Sequence, residues 1–198
     1  GEATITVAPQ QELTYLLLQG FGNTQDRIIT FQLREHSSVK IFAIIVGEKN
    51  RESLCDLSVI HQGVGTQSYV NLKGAFTDAS HGIINGTIHI KPEAQRSNAR
   101  LEERVLLLSS EARAKTIPNL EIEANDVIAG HAATVSKISE DELFYLLSRG
   151  LPPGAAEELI VGSFFRSQLE AIPQSSLRTE LEKTLNKKLK QLSHASVS

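Results

Sequence analysis

The stretch SEARAKTIPNLEIEANDVIAGHAATVSKISEDELFYLLSRG, residues 110–150, is where the chain changes character. In its first half Leu120 and Ile122 alternate with Glu121 and Glu123, and a period of two marks a strand with one wet face. In its second half Ser139 is followed by Glu142 at capping-box spacing: the hydroxyl accepts from a first-turn amide while the carboxylate reaches back to the cap amide. Glu140 and Asp141 add negative charge at the positive end of the helix dipole, and Gly150 suits the left-handed position that ends a helix. The stretch is therefore a joint, with strands over 1–136 and helices over 137–192.

Upstream of the joint the period of two recurs. Ile29, Phe31 and Leu33 alternate with Thr30 and Gln32, Val70, Leu72, Gly74 and Phe76 with Tyr69, Asn71 and Lys73, and Ile84, Gly86, Ile88 and Ile90 with Asn85, Thr87 and His89. Residues 39–46 and 105–108 are apolar on both phases, so something must cover their outer face as well. Polar or glycine-bearing connections at 47–50, 63–67, 78–82 and 92–98 separate these segments. Such regular short strands suit a sandwich, a barrel or a β-solenoid, and no strict repeat selects among them.

Downstream, Pro152 and Pro153 can open a second helix with an apolar stripe of Leu159, Ile160, Phe164, Phe165, Leu169 and Ile172, closed by Pro173. A third carries Leu177, Leu181, Leu185, Leu189 and Leu192 on one face, acidic Glu180 and Glu182 early, and Lys187, Lys188 and Lys190 late. Three amphipathic helices make a small bundle, and 193–198 read as a frayed tail.

Composition bounds the function. The chain has 198 residues and a formal net charge of -3, which gives no bulk attraction for nucleic acid. A single cysteine, Cys55, precludes an intrachain disulfide or a cysteine metal cage and fits a reducing compartment. No apolar run approaches the ~20 residues of a membrane-spanning helix, and the N-terminus has no signal-peptide pattern. A cytoplasmic location is expected, or a plastid stroma for a plant chain. The lack of methionine and the start at Gly1 suggest a piece of something longer.

Isolated constellations read mostly as structure. Asp78, Ser80 and His81 have hydrolase ingredients without a nucleophile elbow, so a polar turn is expected and no catalytic residue is assigned. His61, His81 and His89 could stack into a metal site, although histidines on wet strand faces are commoner than ligands. Asn85–Gly86–Thr87 matches a sequon in a chain with no sign of secretion. Cys55 reads as a small buried thiol, with Arg51 the one local cation able to activate it. Glu102–Glu103 and Glu121–Glu123 read as solvated strand faces, with paired acid–base or hard-metal chemistry the alternative. His131, set among Ala129, Gly130, Ala132 and Ala133, is accessible to a partner or ligand. No phosphate-binding glycine loop is present, so nucleotide chemistry would come from another subunit.

Taken in order, Asn98–Ala99–Arg100 through Leu106–Leu107–Leu108, then Ser110–Glu111–Ala112, Pro118, Leu120–Glu121–Ile122, Asp126–Val127, His131, Ala133–Thr134–Val135, Asp141–Glu142–Leu143–Phe144–Tyr145 and Ser148–Arg149–Gly150 resemble the C-terminal core of the SufB/SufD family. The resemblance is close over about residues 95–170. It implies a right-handed parallel β-helix followed by a small C-terminal helical domain. Members are scaffold subunits of the SUF iron–sulfur cluster assembly machine, not free-standing enzymes. They pair through their β-helices, with a SufB-like subunit or with themselves, and recruit a SufC-like ATPase through the helices; Asp141, Glu142, Tyr145 and Arg149 are the partner-binding candidates. His131 falls where SufD-type members have a histidine that handles iron or the nascent cluster, with Ala129 in place of a neighbouring cysteine. Glu103 stands where SufB-type members carry the sulfur-accepting cysteine, which implies a SufD-like role, and Glu103 and Glu121 are candidate accessory carboxylates. No cofactor is expected to be tightly bound in the isolated chain, only a transient iron–sulfur cluster in the assembled complex. The family's N-terminal helical domain has no counterpart here, as in a fragment or a short homologue. Two other readings are a ligand-binding or carbohydrate-acting β-solenoid, disfavoured by 5% aromatic content, and a purely structural homo-oligomer.

Overall fold

A computed structural model describes residues 1–21 and 26–195, with side chains through Lys190. Ten strands come first: β1 (Glu2–Val7), β2 (Glu12–Gln19), β3 (Arg27–Leu33), β4 (Ser38–Gly47), β5 (Glu52–His61), β6 (Gln67–Phe76), β7 (His81–Ile90), β8 (Asn98–Leu107), β9 (Arg113–Ile122) and β10 (Ile128–Lys137). Three helices follow, α1 (Glu140–Ser148), α2 (Pro153–Glu170) and α3 (Ser175–Ala195). Odd strands form one parallel sheet in the order β1-β3-β5-β7-β9, and even strands form a second in the order β10-β8-β6-β4-β2. Successive strands thus alternate between sheets and each coil stacks on the last, a β-solenoid of five coils with roughly thirty residues in each. Of the architectures that periodicity left open, this is the one formed.

Alternation along the strands sorts side chains into the bore and the outside. Phe31, Leu57, Val59, Leu72, Phe76, Ile84, Ile88 and Leu101 fill the bore. Close packing demands complementary sizes across it. The Phe76 ring lies so close to Gly82 that a Cβ there would sit 2.0 Å from Cζ, so the glycine is a space the ring occupies. The corners turn sharply: Asp78 adopts φ 55°, and its carboxylate accepts from Lys49 N at 2.6 Å. Ser80 Oγ donates to Thr77 O at 2.6 Å, so the Asp78, Ser80 and His81 group is indeed a polar turn.

The doubly apolar segments have the cover their sequence requires. Ile44, Val46, Ala75 and Leu106 point out of the even-strand sheet into a second core completed by Val161, Phe165, Leu169, Ile172, Leu185 and Leu189. The helices therefore do not form a free-standing bundle: α2 packs its apolar face on the sheet, α3 packs chiefly on α2 and adds Leu185 and Leu189 to the same core, and α1 packs chiefly on α2. Leu159, expected in the buried stripe of α2, is 50% exposed, and Leu177 is exposed as well, because both lie away from the sheet. Helical backbone continues to Ala195, three residues into the stretch read as a tail, and 196–198 lie outside the described residues, as does the side chain of Leu192. Among the described residues no helix is long and apolar enough to cross a membrane.

Candidate functional site

Two neighbouring surfaces at the end of the chain's path over the solenoid hold nearly all the candidate residues. The first is β10, the outermost strand of its sheet, paired to β8 on one side and to no strand on the other among the described residues. Its register sets Ala129, His131, Ala133 and Val135 beside Ala99, Leu101, Glu103 and Val105, all bore-facing positions of β8. Among the described residues no further coil lies on top and the bore is open here: bore-facing His131, Ala133 and Val135 are exposed, as is outward-facing Ile128. Alanine and glycine around His131 leave the imidazole accessible, as the sequence suggested.

Glu103 lies one coil inward, and the reading of Glu102–Glu103 as a solvated face fails for it. The alternation Ala99, Leu101, Glu103, Val105 puts its side chain in the bore, where it is fully buried. That phase was visible in the sequence. Its carboxylate reaches across to Gly86 on the opposite sheet, where a Cβ would come within 2.4 Å of Oε1. Neither oxygen completes a well-formed hydrogen bond, although the Gly86 backbone lies near enough to favour the charged form. Burial pushes the carboxyl up to about 8, only partly opposed by the Gly86 backbone, so Glu103 holds a proton at neutral pH. Its Cα partner on the terminal strand is Ala133, so on β10 a small side chain stands between this buried acid and the open end.

Glu121 is not part of this arrangement. It points outward from β9 and faces His89, with Nδ1 3.5 Å from its Oε2, while His89 Nε2 bonds Glu123. Hydrogen bonds from His89 and from Lys91 pull the Glu123 carboxyl below the ordinary carboxylate range. The histidine trio is likewise dispersed, because His61 faces the bore and His89 the outside. His61 is fixed by Thr66 Oγ1 at 2.8 Å and Ser68 Oγ at 2.9 Å, and burial lowers its pKa to about 4. Among the described residues no three His, Cys, Asp or Glu side chains converge as a metal site. Cys55 is a buried thiol pushed up to about 12, chiefly by desolvation and then by Asp56 and Glu103. The cation beside it is Arg27, its register partner on β3, not Arg51.

The second surface is α1 with the groove between it and α2. Ser139 caps α1 by accepting from Glu142 N at 3.3 Å, and three acidic residues follow in the first turn. None of its residues is buried, and Phe144 is 73% exposed. Tyr145, Leu146, Leu159 and Ile160 make an apolar groove of about 430 Å³ with Asp141 and Glu142 on its rim. Arg149, the C-cap of α1, lies over the Tyr145 ring at 5.2 Å, so three of the four partner-binding candidates fall on this exposed helix and the fourth ends it.

Sequence reasoning missed a third group. Lys73, Asn71 and Gln168 are buried polar residues where α2 meets the sheet. Lys73 and Asn71 stand on the polar phase of a strand otherwise read as having one wet face, and nothing in that pattern says a helix will cover it.

The family model described as SUF system FeS cluster assembly, SufBD core domain, matches residues 13–164. The iron–sulfur cluster assembly protein SufD of Bacillus subtilis is 33% identical over 147 residues, 74% of this chain and 34% of that protein. A SufBD family protein of Synechocystis is 29% identical over 190 residues, 93% of this chain and 41% of that protein. SufD of Escherichia coli is 28% identical over 157 residues, 78% of this chain and 37% of that protein. The chain thus spans between a third and about two-fifths of the length of these relatives. The matched span runs from β2 into α2, and on that match and these relatives the chain belongs to the SufB/SufD family of iron–sulfur cluster assembly proteins and is SufD-like.

Proposed function

We propose that this chain is a SufD-like scaffold subunit that pairs through the open end of its solenoid, with a SufB-like subunit or a second copy, and docks a SufC-like ATPase on the α1–α2 surface. One observation carries the reading: the last strand of the solenoid is left uncovered, with His131 exposed on it, directly before a helix whose apolar side chains are also uncovered. An unpaired edge and an exposed apolar helix face are surfaces that proteins normally cover. The acidic rim of the α1–α2 groove suits a basic, partly apolar element of the ATPase.

The cargo in this reading is iron and sulfide being built into a cluster. His131 offers an imidazole nitrogen, a ligand type suited to iron, at the pairing surface. Glu103 cannot accept sulfur, and as a buried, protonated acid it offers a carboxylate ligand only after losing its proton. Glu121, turned outward and engaged by His89, acts at most from outside the bore. The chain acts as a scaffold, with ATP hydrolysed on the other subunit.

Two measurements test this. Phe144→Asp with Tyr145→Ala, both on exposed positions, should abolish capture of a SufC-like ATPase by the folded chain, and undiminished capture would remove the docking assignment. Anaerobic reconstitution with iron and sulfide in a complex with a SufB-like subunit should load less cluster with His131→Ala, and equal loading would remove His131 from the site.

A further inference from the structure

The outer face of the even-strand sheet carries a line of polar side chains that starts in α2 and ends beside β10. Gln168 is fully buried, and its Nε2 donates to Asn71 Oδ1 at 2.8 Å. Asn71 Nδ2 donates to the Tyr69 hydroxyl at 3.0 Å, and that hydroxyl donates to Glu102 Oε2 at 3.5 Å. Arg100 Nε, on the same strand as Glu102, donates to its Oε1 at 2.7 Å. At the helix end the line is doubly anchored. Ser167 Oγ donates to Gln168 Oε1 at 3.0 Å, and Lys73 Nζ donates to Phe164 O and, at 2.9 Å, to Ser167 Oγ, with the ammonium 4.9 Å from the Phe164 ring centre.

These groups cost more to bury than the apolar contacts around them, so adhesion alone does not account for them. What they add is register. If α2 slid or rotated along the sheet, the Gln168 amide, the Asn71 amide and the Lys73 ammonium would all lose partners while buried. A displacement of α2 therefore carries β6 with it. From β6 the line crosses to β8 at Glu102, whose Cα partner on β10 is Ala132, the residue between His131 and Ala133. The next residue of β8 is Glu103, in the bore.

We propose that Gln168, Asn71, Tyr69 and Glu102 form a mechanical relay by which movement of the helices repositions the terminal strand and the Glu103 carboxyl beneath it. This rests on the reading above for what moves the helices, and it names positioning residues for that same site. The Tyr69–Glu102 contact is the longest link, so it is the one that a displacement makes or breaks. Demonstrating such coupling requires that a change at either end be felt at the other.

Hydrogen exchange on the isolated full chain tests the relay without the ATPase, so a failed capture experiment and a failed relay are told apart. Gln168→Leu should speed exchange in α2 and, by about tenfold, in β8 and β10. Tyr69→Phe, which removes one hydroxyl, should speed β8 and β10 and leave α2 at its wild-type rate. The double variant should add nothing at β10 beyond the larger single effect. Acceleration confined to α2 and α3 in Gln168→Leu, or additive effects at β10, would reduce the line to a helix anchor and overturn the proposal. Should Gln168→Leu detach the helices altogether, Tyr69→Phe decides alone: unchanged exchange in β10 sinks the relay.

Discussion

Strands β4 and β10 lie in the same parallel sheet and face opposite fates. The first is apolar on both faces and covered on both, by the bore and by the helices, whereas the second packs inward chiefly through Ala129 and leaves most of its side chains exposed. The difference is in their residues. Ile44 and Val46 supply outward bulk that requires a helix over it, whereas beyond the exposed Ile128 the outward positions of β10, Gly130, Ala132 and Thr134, supply little. A solenoid coil thus declares by its outward side chains whether its own chain will cover it.

The largest test of that contrast is Phe165→Ala, which empties the centre of the covered region. It should cost about 4 kcal/mol in chemical denaturation, within the 3–5 common for buried aromatic truncations. A loss under 1 kcal/mol would mean that the helices are not held to the sheet by this core.

The next effect belongs to the boundary between the two regions. The Glu103 carboxyl is raised to about 8 in the folded chain from an ordinary 4.5, so the folded state keeps a proton that the unfolded state releases between those values. Its contribution is therefore complete below about pH 4.5 and lost as pH rises to about 8. Wild type should lose stability over that window relative to Glu103→Gln, by up to about 1.4 kcal/mol for each pH unit. Parallel stability–pH curves for the two proteins would place the carboxyl in water.

Smaller still is Ser139→Ala, which removes the α1 cap and should cost about 1 kcal/mol of local stability. Because no residue of α1 is fully buried, exchange should quicken in α1 and the global unfolding midpoint should stay fixed. The smallest is His131→Ala, worth under about 0.5 kcal/mol because the side chain is solvated. A larger loss would show that the open end is less open than its exposure indicates.

Much of this contrast is legible in the sequence. Alternation gives the strands, the doubly apolar segments demand a cover, and Ser139, Pro153 and Gly150 mark helix ends by known stereochemistry. Strand pairing is not legible, because a period of two states which face is wet and says nothing of whether the neighbour runs parallel. The burial of Glu103 was readable from the phase of Leu101 and Val105, and charge alone misled. The roles of Lys73 and Gln168 were hidden for a different reason: each needs the other element's position, and the two residues lie far apart in sequence.

The buried thiol of Cys55 has a practical consequence. A thiol with a pKa of about 12 is ionised in about one molecule per hundred thousand at pH 7, and only the thiolate reacts with maleimides or iodoacetamide. The chain is thus a ready cysteine-silent background. A single cysteine introduced on α1 and a second on β10 can carry a fluorophore pair while the native residue stays in place, turning any motion between helix and terminal strand into a distance read directly in solution.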